Sequence, residues 1–204
     1  MFVFNIKSSN YEIDSIEQLF NKRSLFLMRI IFYLIAIVLA NVITANFAPL
    51  KLGVFIIPYG SFLIGATFIL RDLVQNKYGK KKTYLLIGIA LLLSAVSSYL
   101  LGDTLWIVFA SAVSFAVSET TDTEIYSRMK SSISMRILYS GVVGGFLDST
   151  IFVIVGLSPL GAGFVPWDAV WMAILGQIMI KVIMQFLGVL ILQFTNITKE
   201  QFAN

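Results

Sequence analysis

Six ionisable side chains lie where the chain is otherwise apolar: Arg71, Asp72, Glu119, Asp122, Asp148 and Lys181. A charge inside a membrane span costs about 2.5–3.5 kcal/mol on insertion scales, so it persists where it is paired, wetted or used. Glu119, Asp122 and Tyr126 are spaced i, i+3, i+7. That spacing stacks them on one helical face, an acceptor-rich wall of two carboxylates and a phenol. Arg71, one helix away, is expected to pair with Glu119 or Asp122. Asp148 sits in GVVGGFLDSTIF, where Gly141, Gly144 and Gly145 permit close helix approach. Gln177, Lys181 and Gln185 follow i, i+4, i+8 and form a polar stripe. Asp148 and Lys181 fall at similar depth on consecutive antiparallel segments, so they are expected to form an ion pair or to bracket a shared ligand. Asn41 and Asn46 fit interhelical hydrogen-bonding roles.

Acid acceptors suit a ligand rich in N–H donors. A guanine-like ring is one, because a carboxylate accepts from its N1–H and its exocyclic amine together. Tyr and Phe rings could stack on it. The same wall could hold an amine, a vitamin or protons. The chain has no His and no Cys. Imidazole acid–base chemistry, a Ser-His-Asp triad and thiolate metal ligation are therefore excluded. A membrane-embedded enzyme would be limited to carboxylate or lysine chemistry, and nothing points there. No Walker A pattern is present, so ATP use by the chain itself is not expected. No metal or cofactor is expected.

These side chains need apolar segments to carry them. Of 204 residues, 58% are hydrophobic and only 13% charged; soluble domains run at about 45–50% and about 25%. Mean hydropathy is +0.87. An integral membrane protein follows, since a spanning helix needs about 20 mainly apolar residues. Charges cut the chain into six expected spans, about 30–49, 54–76, 83–102, 104–124, 137–157 and 169–192. They form one all-α transmembrane domain over 29–195, flanked by an N-terminal segment, 1–28, and a tail, 196–204. Pro58, Tyr59 and Gly60 mark the outer start of the second span. Trp106, Trp167 and Trp171 fit an interfacial aromatic belt.

Lys7, Lys22, Arg23 and Arg29 precede the first span, Lys77 and Lys80–Lys82 join spans two and three, Arg128, Lys130 and Arg136 join four and five, and Lys199 follows the last. The opposite side offers Lys51, Asp103 and Asp168. This bias places both termini in the cytoplasm. Ser9 and Glu12 could form a capping box opening a short helix on the inner membrane surface, with Ile13, Ile16 and Phe20 on one face.

Four ordered motifs carry a resemblance: FILRDLVQNKYG (68–79), SETTDTEIYSRMK (118–130), GGFLDSTIF (144–152) and GQIMIKVIM (176–184). With ANVITANFAPL (40–50), they resemble the vitamin uptake transporter family, in its group of queuosine precursor transporters. The resemblance covers about residues 29–192. It implies a six-helix carrier in the cytoplasmic (inner) membrane, similar in fold to the substrate-binding components of energy-coupling-factor transporters. Its implied solute is 7-cyano-7-deazaguanine or a related 7-deazapurine. The alternative is a substrate-binding subunit or carrier for a vitamin-like solute that works with a separate ATP-driven module. The implied partners are that solute and the lipid bilayer, with no nucleic acid and with homo-oligomerisation left open. By motif position, the implied substrate-binding residues are Arg71, Asp72, Glu119, Asp122, Tyr126, Asp148, Gln177 and Lys181, with Asn41 from the first span.

Overall fold

Apolar runs of helical length dominate the sequence, and the computed structural model, which describes residues 24 and 27–194, folds them into six long helices. Helix α1 covers Leu27–Asn46. It is followed by α2 (Gly60–Tyr78), α3 (Lys80–Leu100), α4 (Leu105–Arg128), α5 (Ile133–Ile151) and α6 (Trp167–Phe194). The expected inner-surface helix built on Ser9 and Glu12 and the tail 196–204 lie outside the described residues. Among the described residues, four helical segments are long and apolar enough to cross a membrane: α1, α3, α5 together with its extension to Leu157, and α6. Helices α2 and α4 carry four buried charges, Arg71, Asp72, Glu119 and Asp122.

The second span was expected to begin near residue 54, and here the structure differs. Residues 50–57 form a small hairpin, β1 (Leu50–Leu52) against β2 (Phe55–Ile57), with Leu50 opposite Ile57 and Leu52 opposite Phe55. Gly53 supplies the positive φ, 60°, that a two-residue hairpin turn requires. Phe55, Ile56 and Ile57 are aromatic or β-branched, so they suit a strand as well as an apolar span. Pro58 then ends the strand, and α2 starts only at Gly60.

Capping sets other boundaries. Thr104 Oγ1 accepts from the Ile107 amide at 3.4 Å to open α4, and Ser132 Oγ accepts from the Met135 amide at 3.4 Å to open α5. A single residue, Gly79 with φ 77°, separates α2 from α3. At its far end α5 widens into a π-helical turn, Phe152–Leu157, closed by the Ser158 amide donating to the Val153 carbonyl at 2.8 Å. Such turns recur at functional sites.

Polarity is inverted relative to a water-soluble domain. Arg71, Asp72, Glu119, Asp122, Lys181 and Gln185 are buried, while Leu85, Leu92, Trp106, Trp171 and Phe194 are exposed. Water-soluble monomers rarely expose so continuous an apolar surface. Lipid is the solvent that such an exterior matches, and the chain reads as a multi-pass membrane protein.

Small residues bring α5 against its neighbours. A Cβ at Gly144 would lie 3.1 Å from Asp122 Oδ2, and one at Gly145 would lie 3.3 Å from Lys181 Cβ. One at Gly141 would overlap the Gln185 amide. The expected close approach is thus used on two sides, by α4 and α6. Gly60 is less yielding, because an added Cβ would lie 2.6 Å from the Ala40 carbonyl oxygen, which is backbone. Gly60→Ala is therefore expected to push α2 from α1 and cost about 1–3 kcal/mol, as overpacked cores do. Thermal unfolding in detergent checks this; an unchanged midpoint would show that the helices separate freely.

Candidate functional site

The polar residues gather in two places. The first is a small, open-mouthed cavity of about 70 Å³ among α1, α2, α3, α4, α5 and α6. Asn41, Asp148, Gln177 and Lys181 line it, with Ser94 and Ser114. It shares Thr44, Pro58, Asp103 and Gln177 with a wider vestibule of about 700 Å³. Lys51 of the hairpin, Phe164 and Pro166 line that vestibule as well.

Each cavity residue is held by its helix and by named partners. Lys181 Nζ donates to Asp148 Oδ2 at 2.6 Å and to Ser149 Oγ at 2.8 Å. Lys181 is 2% exposed, so its ammonium depends on these acceptors. Ser149 in turn donates to the Gly145 carbonyl at 2.7 Å, which fixes the hydroxyl that receives the lysine. The expected pairing of Asp148 and Lys181 is therefore direct. Asn41 Nδ2 donates to Ser97 Oγ at 2.7 Å and to Ser94 Oγ at 3.0 Å. Asn41 thus clamps α1 to α3 while it borders the cavity. Asn46 only bonds back to the Val42 carbonyl of its own helix, at 2.8 Å. Gln177 is buried, and its Nε2 has no hydrogen-bond partner. An amide donor left free at a cavity wall is a group ready to meet a solute.

The second place is closed. Arg71 lies among three carboxylates: Nη2 to Asp72 Oδ1 at 2.9 Å, Nη1 to Glu119 Oε2 at 3.2 Å, and Nη2 to Asp122 Oδ2. Its Nη1 also donates to the Glu119 carbonyl and to Thr123 Oγ1, each at 3.0 Å. The guanidinium sits 5.9 Å from the Phe68 ring centroid. All four charged side chains are shut away from solvent, with exposures of 0% or 1%. Arg71 was expected to take one of two acids across the helix gap; it takes both, and Asp72 besides.

Glu119, Asp122 and Tyr126 do share a buried face of α4. That face meets α2 and α5 rather than the cavity. Tyr126 donates to Asn76 Oδ1 at 3.2 Å, and the Arg136 guanidinium lies 4.0 Å from its ring centroid. Of the nine residues singled out from the sequence, Asn41, Asp148, Gln177 and Lys181 come together at the cavity. Arg71, Asp72, Glu119 and Asp122 come together in the closed cluster, with Tyr126 beyond it. Sequence reasoning missed Ser94, Ser98, Ser111 and Ser114, which line the cavity, and the Arg71 partner Thr123. Their spacing along α3 and α4 was visible, but a serine in an apolar run is inexpensive and common.

Residues 97–195 match the family model described as "Putative vitamin uptake transporter". That C-terminal stretch is similar to the vitamin uptake transporter family. No curated protein and no solved structure matches the chain. The stretch matched to the vitamin uptake transporter model contains Glu119, Asp122, Tyr126, Asp148, Gln177 and Lys181, whereas Asn41, Arg71 and Asp72 precede it. It thus holds the Asp148–Lys181 pair and two of the three acids around Arg71.

Proposed function

We propose that this protein is a six-span carrier of the cytoplasmic membrane, with both termini inside, importing 7-cyano-7-deazaguanine or a related 7-deazapurine. The observation that carries the reading is the cavity in which an Asp148–Lys181 pair faces an unpartnered Gln177 amide. Asp148 Oδ2 is occupied by lysine, and Oδ1 is the oxygen left for a solute's N–H donors. The Gln177 amide suits a ring carbonyl or nitrile nitrogen as acceptor. Phe115 and Phe152 supply aromatic surface for a flat ring. The vestibule supplies the entry side, and solute passage proceeds by alternating access around a buried site. The family match supports transport rather than catalysis.

The test is rescue of cells that neither make queuosine precursors nor import them. With 7-cyano-7-deazaguanine supplied at low concentration, this protein is expected to restore queuosine in tRNA. Asp148→Ala, which leaves Lys181 without its carboxylate, is expected to abolish the rescue. A wild-type protein that reaches the membrane and does not rescue would sink the substrate assignment.

A further inference from the structure

Three carboxylates meet one guanidinium in a space closed to water. Arg71 contacts Asp72, Glu119 and Asp122, and their side chains are essentially unexposed. The other buried cation among the described residues, Lys181, is engaged by Asp148 at 2.6 Å. The groups facing the cluster are Tyr33 from α1, Arg71 and Asp72 from α2, Glu119, Asp122 and Tyr126 from α4, and Asp148 from α5. Fully ionised, one Arg against three acids leaves an excess of two negative charges. Each uncompensated buried ion costs several kcal/mol. A proton on a carboxyl group removes one unit of that excess and converts an acceptor oxygen into a donor.

Two orphaned groups point the same way. The Tyr33 hydroxyl faces these charges, is 0% exposed and has no hydrogen-bond partner. Asp122, paired with Arg71 through Oδ2, has an Oδ1 that is buried without a hydrogen bond. The cluster also adjoins the cavity. Phe115 lines the cavity, and Glu119 lies four residues on along α4, about 6 Å away by helical rise.

We infer that the Arg71–Asp72–Glu119–Asp122 cluster is a proton-binding site, holding at least one carboxyl proton in this closed arrangement and exchanging it with water during solute passage. The proton comes from water on one side, binds a carboxylate oxygen, and leaves to water on the other; no other bond changes. The exchange during passage rests on the carrier reading above, whereas the bound proton does not.

Two measurements decide it. Infrared spectroscopy of the full chain in lipid at neutral pH, with Asp and Glu labelled by carbon-13, reads protonated carboxyl groups directly. A label-sensitive carboxylic acid band is expected. It should be lost in the Glu119→Gln/Asp122→Asn double variant, where one acid faces one guanidinium. No band in the wild type, or a band that survives in the double variant, overturns the site; the wild-type spectrum decides even if the variant fails to fold. The second measurement is uptake of labelled 7-cyano-7-deazaguanine into proteoliposomes. An inward proton gradient is expected to accelerate uptake, and Glu119→Gln is expected to lose that acceleration. Uptake that ignores the gradient overturns the coupling. No uptake under any gradient overturns the proposed substrate, and the infrared band still decides the proton site.

Discussion

Arg71→Met is expected to destabilise the folded protein by about 3–5 kcal/mol, the cost of removing one partner from a buried ion network. Arg71 makes three carboxylate contacts and donates to Thr123 and the Glu119 carbonyl. Methionine keeps much of the volume and supplies none of these donors. Three acids would then remain in a closed space without a cation. The effect should be visible as loss of monodisperse protein in detergent and as a lower unfolding midpoint. Replacing the acids as well, with Asp72→Asn and Asp122→Asn, is expected to recover part of the loss, because the remaining charge falls with each change. If Arg71→Met behaves like the wild type, the cluster is not an electrostatic lock.

The second large effect concerns Asp148 and Lys181. Asp148→Asn leaves a buried ammonium facing a neutral amide, and Lys181→Met leaves a buried carboxylate without its cation. Each single change is expected to cost about 3–5 kcal/mol, while the double variant costs much less than their sum. The 2.6 Å contact and the Ser149 hydrogen bond are the reasons to expect strong coupling. A double-mutant cycle on denaturation midpoints measures it. Uptake should separate from stability: the double variant is expected to recover folding and not transport, because the solute-facing charges are gone. Additive costs would show that the two side chains reach the cavity independently.

Much of this arrangement was legible in the residues. Charges in apolar runs cost enough that Arg71, Asp148 and Lys181 had to find partners, and helical spacing put those partners within reach. The helix order followed from the same breaks. The hairpin at residues 50–57 was hidden because its apolar residues satisfy a span as readily as a strand, and Gly53 was the main local signal. Spacing also placed Glu119, Asp122 and Tyr126 on one face without telling which neighbour that face would meet. Whether an acid is consumed by Arg71 or left for a solute depends on helix rotation, which periodicity fixes only relative to the helix itself. The cavity serines were illegible for a related reason: a serine can close its bond within its own helix, as Ser114 does on the Ser111 carbonyl, or reach a partner elsewhere, as Ser94 does at Asn41, and spacing does not tell which.

The join between α2 and α3 constrains how such a molecule can move. A one-residue link spans only about 3.8 Å between successive Cα atoms. Gly79 can swivel, since its φ of 77° lies where glycine is free, but it cannot lengthen. Axial travel of α2 must therefore be handed on to α3 as rotation or as travel of its own. The helix bearing Arg71 and Asp72 and the helix presenting Ser94 and Ser98 to the cavity are linked as a crank is to its rod.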